Sequence, residues 1–282
     1  MSATQHVTTV SLVNVERGAI GAIPYAAVGS GPSLVVCSGL WPVTGVAGDG
    51  FVRGALAPVR RLAAQRRIVV LNRRADLPTG LTMSDLAAEY ASAITAHLDA
   101  PVDVVGTSTG GSIALQLAAD HPVAVRRLVV LSAACRLGPV GRDLQARVAA
   151  ELRKGQTRAA VGVAATGLAP PGLRAIARAL GWVVARRVIT TALSAADLAA
   201  TIEAEDGFDL AACQRAIQAT TLIIGGGRDD FYGTDLFRET AALIPHSQLQ
   251  VFPRRGHIGV TGDRRAQAMI AGFLLAPERA ER

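Results

Sequence analysis

The sequence contains few aromatic residues, few charged residues and almost no lysine. Aromatic residues make up 4% of the 282 residues and charged residues 18%, and Lys154 is the one lysine among 29 basic residues. The arginines bring the net charge to +7, but they occur as scattered pairs and few aromatic side chains are available to stack on bases. We therefore expect no nucleic-acid partner, and we attribute the positive charge to coding bias.

Cysteines and long apolar runs are also scarce. Cys37, Cys135 and Cys213 lie far apart and lack the spacing of metal ligands. Their odd number, and an N-terminal stretch over residues 1–9 without the apolar region of a secretory leader, predict a reducing, cytoplasmic setting. Apolar runs such as residues 67–71 are too short to span a bilayer, so we expect no membrane partner.

The sequence is rich in apolar residues, which alternate between strand-like and helix-like stretches. Half of its residues are hydrophobic, enough for one sizeable core or for a core that carries an insertion. Short apolar runs of the kind buried in parallel sheets occur at Ser33–Ser38, Arg67–Asn72, Val102–Val105, Arg127–Ser132, Ala219–Ile224 and Gln248–Phe252. Helices are predicted at Pro58–Gln65, Thr82–Leu98, Thr109–His121 and Arg264–Leu275. This alternation predicts an α/β fold with a doubly wound, mostly parallel sheet.

Two parts of the chain depart from this alternation. Residues 7–29 are predicted to form two short strands, with a turn near residues 16–18. Between residues 136 and 215 the strand-like runs disappear and Ala-, Arg- and Leu-rich helical sequence replaces them. We therefore expect a core domain over residues 1–135 and 216–282, with a helical cap insertion over residues 136–215.

A candidate nucleophile lies between a predicted strand and a predicted helix. Residues 106–110 read Gly-Thr-Ser-Thr-Gly, the G-x-S-x-G pattern of a nucleophile elbow. A chain that turns from strand to helix at one residue exposes the hydroxyl of that residue and leaves no room for side chains two positions away. A Gly-rich turn can be purely structural, but the coincidence of strand, pattern and helix favours Ser108 as a nucleophile.

A serine hydroxyl needs a base, and the base needs a carboxylate to orient it. His257, in a Gly-containing loop after the last predicted strand, is the preferred base over the other four histidines. The carboxylate is expected in the Gly-rich turn at residues 225–230, at the end of a strand, where ligands gather in such sheets. Both Asp229 and Asp230 occur there, and the spacing from Gly226 favours Asp229.

A negatively charged tetrahedral intermediate needs hydrogen-bond donors. One predicted donor is the backbone amide of Thr109, which follows the candidate nucleophile. The other is expected in the loop after the strand at Ser33–Ser38, and the Leu40 amide is preferred there. Apolar side chains that could line a substrate pocket, although residues of this kind more often pack in a core, are Trp41, Leu137, Trp182, Phe231 and Ile258.

At these motifs the chain resembles the α/β-hydrolase superfamily, in the branch of capped serine esterases, haloperoxidase-like enzymes and C–C bond hydrolases. The resemblance covers nearly all of the chain outside residues 136–215. It implies an eight-stranded sheet, a Ser-His-Asp triad, acyl-enzyme chemistry and no metal or other cofactor. Ser38-Gly39 replaces a His-Gly pair that many members carry, and Asp230 stands where many have proline. A serine nucleophile disfavours epoxide hydrolase and haloalkane dehalogenase chemistry.

The sequence thus predicts a hydrolase acting on ester bonds. Its partner would be a small, largely apolar molecule with an ester, thioester or lactone group, cleaved through an acyl-enzyme on Ser108. Two alternatives stay open. The same triad could serve C–C bond cleavage, perhydrolysis or a biosynthetic lyase or cyclase step, or the scaffold could be a non-catalytic ligand receptor. The oligomeric state, including a homodimer, is also left open.

Overall fold

One sheet organises the part of the chain that the structure, a computed structural model, describes: residues 15–46, 48–188, 194–213 and 215–277. Its strands, β1 to β8, are Glu16–Ile20, Ile23–Val28, Ser33–Cys37, Arg67–Leu71, Val102–Thr107, Val125–Leu131, Thr220–Gly226 and Ser247–Phe252. They are arranged in the order β1-β2-β4-β3-β5-β6-β7-β8. The β1–β2 and β2–β4 pairs are antiparallel and the other five pairs are parallel.

Helices cover both faces of the sheet. The helices of the described residues, α1 to α9, are Asp49–Leu56, Met83–His97, Thr109–Asp120, Pro139–Arg153, Thr157–Thr166, Arg174–Val188, Ala195–Asp206, Gly233–Leu243 and Arg264–Leu275. Alternate residues of the central strands enter two different hydrophobic clusters. Val35 packs with residues of α2, α3 and α8 on one face, and Val36 packs with residues of α1 and α9 on the other. The predicted doubly wound, mostly parallel α/β sheet is confirmed.

The predicted turn at residues 16–18 is wrong. These residues lie within β1, where Gly18 pairs with Tyr25, and the chain turns after Ile20, which pairs with Ile23. Gly21 has a positive φ of 60°, a conformation that glycine adopts at little cost, and it supplies the turn that the sequence placed too early. The predicted strand residues 7–14 lie outside the described residues.

The predicted helix at residues 58–65 is also wrong. Only a short 3-10 turn forms there, at Arg60–Ala64, and the α-helix lies earlier, as α1. Two glycines in α1 lower its intrinsic helix propensity. One of them, Gly54, lies directly under the indole of Trp41, where a Cβ would collide with the ring. Tertiary packing therefore outweighs propensity in this segment.

Four helices, α4 to α7, connect β6 to β7 within the segment where the sequence predicts an insertion. Leu144 of α4, Val163 of α5 and Ile202 of α7 belong to a hydrophobic cluster of their own. Other residues of α7, such as Ala200 and Ala204, belong to the main core beside the sheet. These helices therefore pack both on one another and on the core. In the described part of the chain, no helix combines the length and the apolar character needed to cross a bilayer.

Candidate active site

Ser108 occupies a sharp turn between β5 and α3. Its φ of 54° and ψ of −129° place a non-glycine residue in a strained backbone conformation, which proteins keep mainly at functional sites. The turn is tight, because a Cβ at Gly110 would collide with the carbonyl group of Cys37. The backbone amide of Ser108 donates a 2.9 Å hydrogen bond to the carbonyl oxygen of Leu131, which ties the turn to β6.

The structure brings the three predicted triad side chains into one hydrogen-bonded row. The Oγ of Ser108 lies 2.9 Å from Nε2 of His257, and Nδ1 of His257 lies 2.9 Å from Oδ2 of Asp229. The Asp229 carboxylate is fully buried and the imidazole is 9% exposed. A carboxylate on Nδ1 selects the tautomer whose Nε2 can accept the serine proton.

The two aspartates of the Gly-rich turn have different surroundings. Asp229 contacts His257, and its second oxygen, Oδ1, accepts a 2.9 Å hydrogen bond from the amide of Phe231. Asp230 instead points outwards, where Oδ2 lies 2.6 Å from Nη2 of Arg174 and the side chain is 42% exposed. Of the two residues that the sequence left as alternatives, only Asp229 reaches the imidazole.

The His257 loop is contacted by Phe231, a predicted pocket residue, and by Ser132 and Tyr232, which sequence reasoning missed. Ser132, directly after β6, has a positive φ of 51°, and its hydroxyl donates a 2.7 Å hydrogen bond to the carbonyl oxygen of His257. The rings of Phe231 and Tyr232 lie beside the imidazole, with centroid separations of 4.5 Å and 5.9 Å. The available signal for Ser132 was a serine directly after the strand that pairs with β5.

The loop after β3 passes directly over the Ser108 turn. A Cβ at Gly39 would lie 3.0 Å from the carbonyl oxygen of Thr107 and 3.3 Å from Cβ of Ser108. Glycine therefore allows the loop to approach the candidate nucleophile. Among the described residues, the amides of Leu40 and Thr109 donate to no backbone carbonyl. Both predicted oxyanion donors are therefore free to bind another acceptor.

Two buried polar side chains at the end of β4 anchor this loop. Asn72 accepts a 3.2 Å hydrogen bond from the Ser38 hydroxyl and donates through Nδ2 to the carbonyl oxygens of Val43 and Gly45. Arg73 donates to the carbonyl oxygens of Trp41 and Val43. Burial lowers the pKa of Arg73 to about 10, so the guanidinium stays charged at neutral pH. These contacts buttress the loop in the absence of a histidine before Gly39.

A buried carboxylate that the sequence did not single out lies beside the start of α3. Glu205, at the end of α7, is fully buried. It accepts hydrogen bonds of 2.7 to 3.1 Å from four uncharged donors, which are the side chains of Thr109, Ser112, Gln145 and Tyr232. The same burial, with the Glu205 charge next to it, raises the pKa of Tyr232 well above its usual value. Glu205 thus joins the Ser108 turn to α4, to α7 and to the loop after β7.

The five predicted pocket residues lie in different surroundings. Phe231 contacts the imidazole, and Ile258, which follows His257, is 55% exposed. The Trp41 ring packs edge-on against Phe51 of α1, and Leu137 is buried in the main core. Trp182 lies on α6, under the guanidinium of Arg158. The geometry therefore places Phe231 beside the imidazole, leaves Ile258 exposed and gives the other three packing contacts elsewhere.

Two cavities lie near the inserted helices. One, of about 790 Å³, is bounded by residues of α2, α3 and α7. The other, of about 340 Å³, is bounded by residues of α4 and α6 together with Asp230 and Phe231. Only the smaller cavity touches the candidate site, through Phe231. Among the described residues, no group of three or more His, Cys, Asp or Glu side chains could hold a metal ion.

The eight-stranded sheet carries a sharp turn at Ser108 after β5 and four helices between β6 and β7. The family model described as the alpha/beta hydrolase family matches residues 34–271. The chain belongs to the alpha/beta hydrolase family.

Individual relatives agree with this assignment. The chain is 25% identical over 204 residues to the pyrrolizixenacetamide deacetylase of Xenorhabdus hominickii, covering 70% of this chain and 74% of that protein. Among solved structures, the enol-lactonase of Burkholderia xenovorans superposes with a TM-score of 0.72 at 20% identity, covering 93% of this chain and all of that one. A thermophilic esterase from Thermogutta terrifontis superposes with a TM-score of 0.69 at 19% identity, covering 93% of this chain and 98% of that one. At these identities, the two solved structures establish the fold alone.

Proposed function

We propose that the protein is a serine hydrolase that cleaves an ester, thioester or lactone of a small, largely apolar substrate through an acyl-enzyme on Ser108. The observation that carries this proposal is the unbroken row of contacts from the Ser108 hydroxyl through the His257 imidazole to the buried Asp229 carboxylate, with both separations 2.9 Å. The names of the similar proteins (a deacetylase, an enol-lactonase and an esterase) are in keeping with such chemistry.

In the proposed first half-reaction, Oγ of Ser108 attacks the substrate carbonyl carbon while Nε2 of His257 accepts the hydroxyl proton. The carbonyl oxygen becomes an oxyanion, to which the amides of Leu40 and Thr109 donate. When the tetrahedral intermediate collapses, the bond to the leaving group breaks and His257 returns the proton to that group. The product is an ester of Ser108, the acyl-enzyme.

The second half-reaction repeats these steps with water. His257 removes a proton from the water as its oxygen attacks the acyl carbon, and a second oxyanion forms at the same donors. Collapse breaks the bond to Oγ of Ser108 and His257 gives its proton back to the serine. The carboxylic acid leaves and the enzyme is restored. Throughout both half-reactions the Asp229 carboxylate accepts a hydrogen bond from the protonated Nδ1 of His257.

The proposed substrate site lies between the sheet edge and the helices of residues 136–215, which we propose to act as a cap. Leu40 and Phe231 support this arrangement, because both lie beside the triad and both pack against the hydrophobic cluster formed by α4, α5 and α7. Apolar side chains at this boundary favour an apolar acyl group.

The mechanism is tested by labelling with a serine-directed fluorophosphonate, followed by mass spectrometry of the modified peptide. We expect one adduct, on Ser108, and none in the Ser108→Ala variant, while Ser30→Ala, at an exposed serine, labels like the parent protein. An unlabelled Ser108 in correctly folded protein, or a label that persists in Ser108→Ala, would refute the proposed nucleophile.

A panel of aryl esters with acyl chains of increasing length then tests the reaction. An esterase turns over some of these esters and loses turnover in Ser108→Ala. Labelling of Ser108 without turnover of any ester would favour another reaction of the same triad. Tight binding of an ester with neither labelling nor turnover would favour a ligand receptor.

A further inference from the structure

The loop after β3, which carries the proposed oxyanion donor Leu40, has little backbone support of its own. None of the amides of residues 39–44 donates a hydrogen bond to a backbone carbonyl of the described residues. The position of the Leu40 amide therefore depends on side chains from elsewhere in the chain. Asn72 and Arg73, at the end of β4, provide part of this support.

Further support comes from Asp197, in the first turn of α7. Its side chain is almost completely buried, with the residue 2% exposed. Oδ1 accepts a 2.9 Å hydrogen bond from the amide of Leu77, in the loop after β4. Oδ2 lies 3.5 Å from Oγ1 of Thr44, in the loop after β3. An aspartate in a first turn ordinarily stabilises the start of its own helix, but the Asp197 carboxylate joins α7 to two distant loops.

The charge of Asp197 also compensates a buried cation. Arg73 is 3% exposed, and its buried Nε has no hydrogen-bond partner among the described residues. Burial lowers the pKa of Arg73 to about 10, and Asp197 is one of two acidic groups that oppose this shift. Burying charged side chains is costly. Their place beside the loop that carries Leu40 therefore indicates a role beyond stability.

The other end of α7 carries a second buried carboxylate, that of Glu205. It accepts a 2.7 Å hydrogen bond from the hydroxyl of Thr109, whose backbone amide is the other proposed oxyanion donor. Asp197 and Glu205 lie about two turns of helix apart, which corresponds to about 12 Å along the axis. One helix therefore contacts both of the segments that present the proposed donors.

We propose that α7 positions the two oxyanion donors relative to each other, and that Asp197 is the positioning residue for the donor at Leu40. This role rests on the proposed function. The Leu40 side chain packs against the hydrophobic cluster that includes Leu198 and Ala199 of α7, so the helix supports the loop by apolar contact as well. In this arrangement α7 is a fixed part of the oxyanion site and not a movable part of the cap.

The relative position of the donors matters because one oxygen must lie within about 3 Å of both amides. The oxyanion forms only during the attack on the carbonyl carbon, so a misplaced donor raises the barrier and leaves substrate binding nearly unchanged. Loss of Asp197 is therefore expected to lower kcat more than it alters KM. A side chain that only stabilised the fold would leave the kcat of the folded molecules unchanged.

Two substitutions test the role of Asp197. Asp197→Ala removes both contacts, whereas Asp197→Asn keeps the shape and one acceptor oxygen but loses the charge. Asp85→Ala is the matched control. Asp85 is likewise the third residue of its helix and accepts a 2.9 Å hydrogen bond from an amide, that of Thr82, but within the start of its own helix. Circular dichroism confirms that each variant is folded, and Asp197→Asn carries the same comparisons if Asp197→Ala does not fold.

The first measurement is the fluorescence of Trp41, which reports on the loop without any assay of activity. Trp41 follows Leu40 and is partly buried. The chain has two tryptophans, so Trp182→Phe leaves Trp41 as the sole emitter. In this background we expect Asp197→Ala to shift the emission to longer wavelength and to increase its quenching by acrylamide, and Asp85→Ala to change neither. Unchanged emission in folded Asp197→Ala would overturn the positioning role, whether or not the protein is an enzyme.

The second measurement, in proteins that retain Trp182, is the rate at which a fluorophosphonate labels Ser108, together with kcat and KM for an aryl ester. We expect Asp197→Ala to lower the labelling rate and kcat about 10-fold and to keep KM within about twofold of the parent. Asp197→Asn is expected to lose less. A loosened loop with unchanged kcat, a higher KM at unchanged kcat, or equal losses in Asp85→Ala would overturn the role of α7.

Failure of the proposed function would give a different result. A parent protein that neither labels at Ser108 nor turns over any ester would overturn the proposed function, and with it the role of α7 in catalysis. A parent protein that labels and turns over esters, with Asp197→Ala equally fast in both assays, would overturn the role of α7 alone.

Discussion

The hydroxyl of Thr109 donates a 2.7 Å hydrogen bond to the carboxylate of Glu205, 96 residues further along the chain. Thr109 is the first residue of α3, and its backbone amide is one of the two proposed oxyanion donors. Among the described residues, the carboxylate has no basic partner, and its acceptor sites are filled by uncharged donors together with the positive end of the α3 dipole. Glu205 thus fixes the position of the residue that follows the proposed nucleophile.

Replacing Glu205 by glutamine tests this positioning role. In the variant, an NH₂ group replaces one oxygen of the Glu205 carboxylate. The two buried donors that now bind this oxygen lose their acceptor, at a cost of about 2 kcal/mol. We expect that loss in the free energy of unfolding, measured with urea, and a kcat lower by about 10-fold with little change in KM. Glu203→Gln is the control, because Glu203 forms a partly exposed ion pair with Arg153. A Glu205→Gln variant as stable and active as the control would contradict the role.

The next residue, Asp206, makes the stability of the fold depend on pH. Burial raises the pKa of Asp206 from 3.8 to about 6, and its buried Oδ1 has no hydrogen-bond partner. Because the unfolded chain loses this proton at lower pH than the folded chain does, folding becomes less favourable as pH rises from about 4 to above 6.

We therefore expect Asp206→Asn to stabilise the protein above pH 6 and to have little effect near pH 4. The gain is about 1 kcal/mol, since the carboxyl is only half-buried and solvent screens part of the effect. Urea unfolding of both proteins at about pH 4 and about pH 8 measures the difference. A gain of equal size at both values would show that the titration of Asp206 is not its cause.

Ser132 tests how strongly the His257 loop depends on one hydrogen bond. Ser132→Ala removes the donor to the carbonyl oxygen of His257, and we expect kcat to fall about 10-fold while KM changes little. Ser247→Ala is matched to it, because the Ser247 hydroxyl also donates to a backbone carbonyl, that of Ala241, but outside the site. Equal losses of activity in the two variants would point to a general effect on stability instead.

Much of the sheet could be predicted because its signal is local. Apolar runs bounded by turn residues place the six parallel strands within two residues of their observed ends, and α2 begins directly after Thr82, where a helix was predicted to start. The strand, glycines and helix around Ser108 likewise occur within a short stretch. Patterns among neighbouring residues are therefore enough to predict these strands, this helix start and this turn.

The rest depends on contacts between distant parts of the chain. The glycines of α1 lower its helix propensity, and the packing of Trp41 on Gly54 is a contact that the local sequence does not reveal. Nothing near Glu205 distinguishes it from the acidic residues around it, because its partners come from α3, α4 and the loop after β7. Likewise, the choice between Asp229 and Asp230 depends on which side chain turns towards His257, and the local spacing could only favour one of them.

The choice between Asp229 and Asp230 as the orienting acid can be tested with two matched variants. In Asp229→Asn the side chain keeps its shape but loses its charge, and it can present an NH₂ group to Nδ1 of His257, which selects the wrong tautomer. We expect kcat for an aryl ester to fall on the order of 10⁴-fold with the fold unchanged. In Asp230→Asn only the surface ion pair with Arg174 is lost, so we expect activity within about twofold of the parent and a change in unfolding free energy below about 1 kcal/mol. If Asp230→Asn abolished turnover and Asp229→Asn retained it, the orienting acid would have to be reassigned, and the contact of 2.9 Å between Asp229 and His257 would have no catalytic meaning.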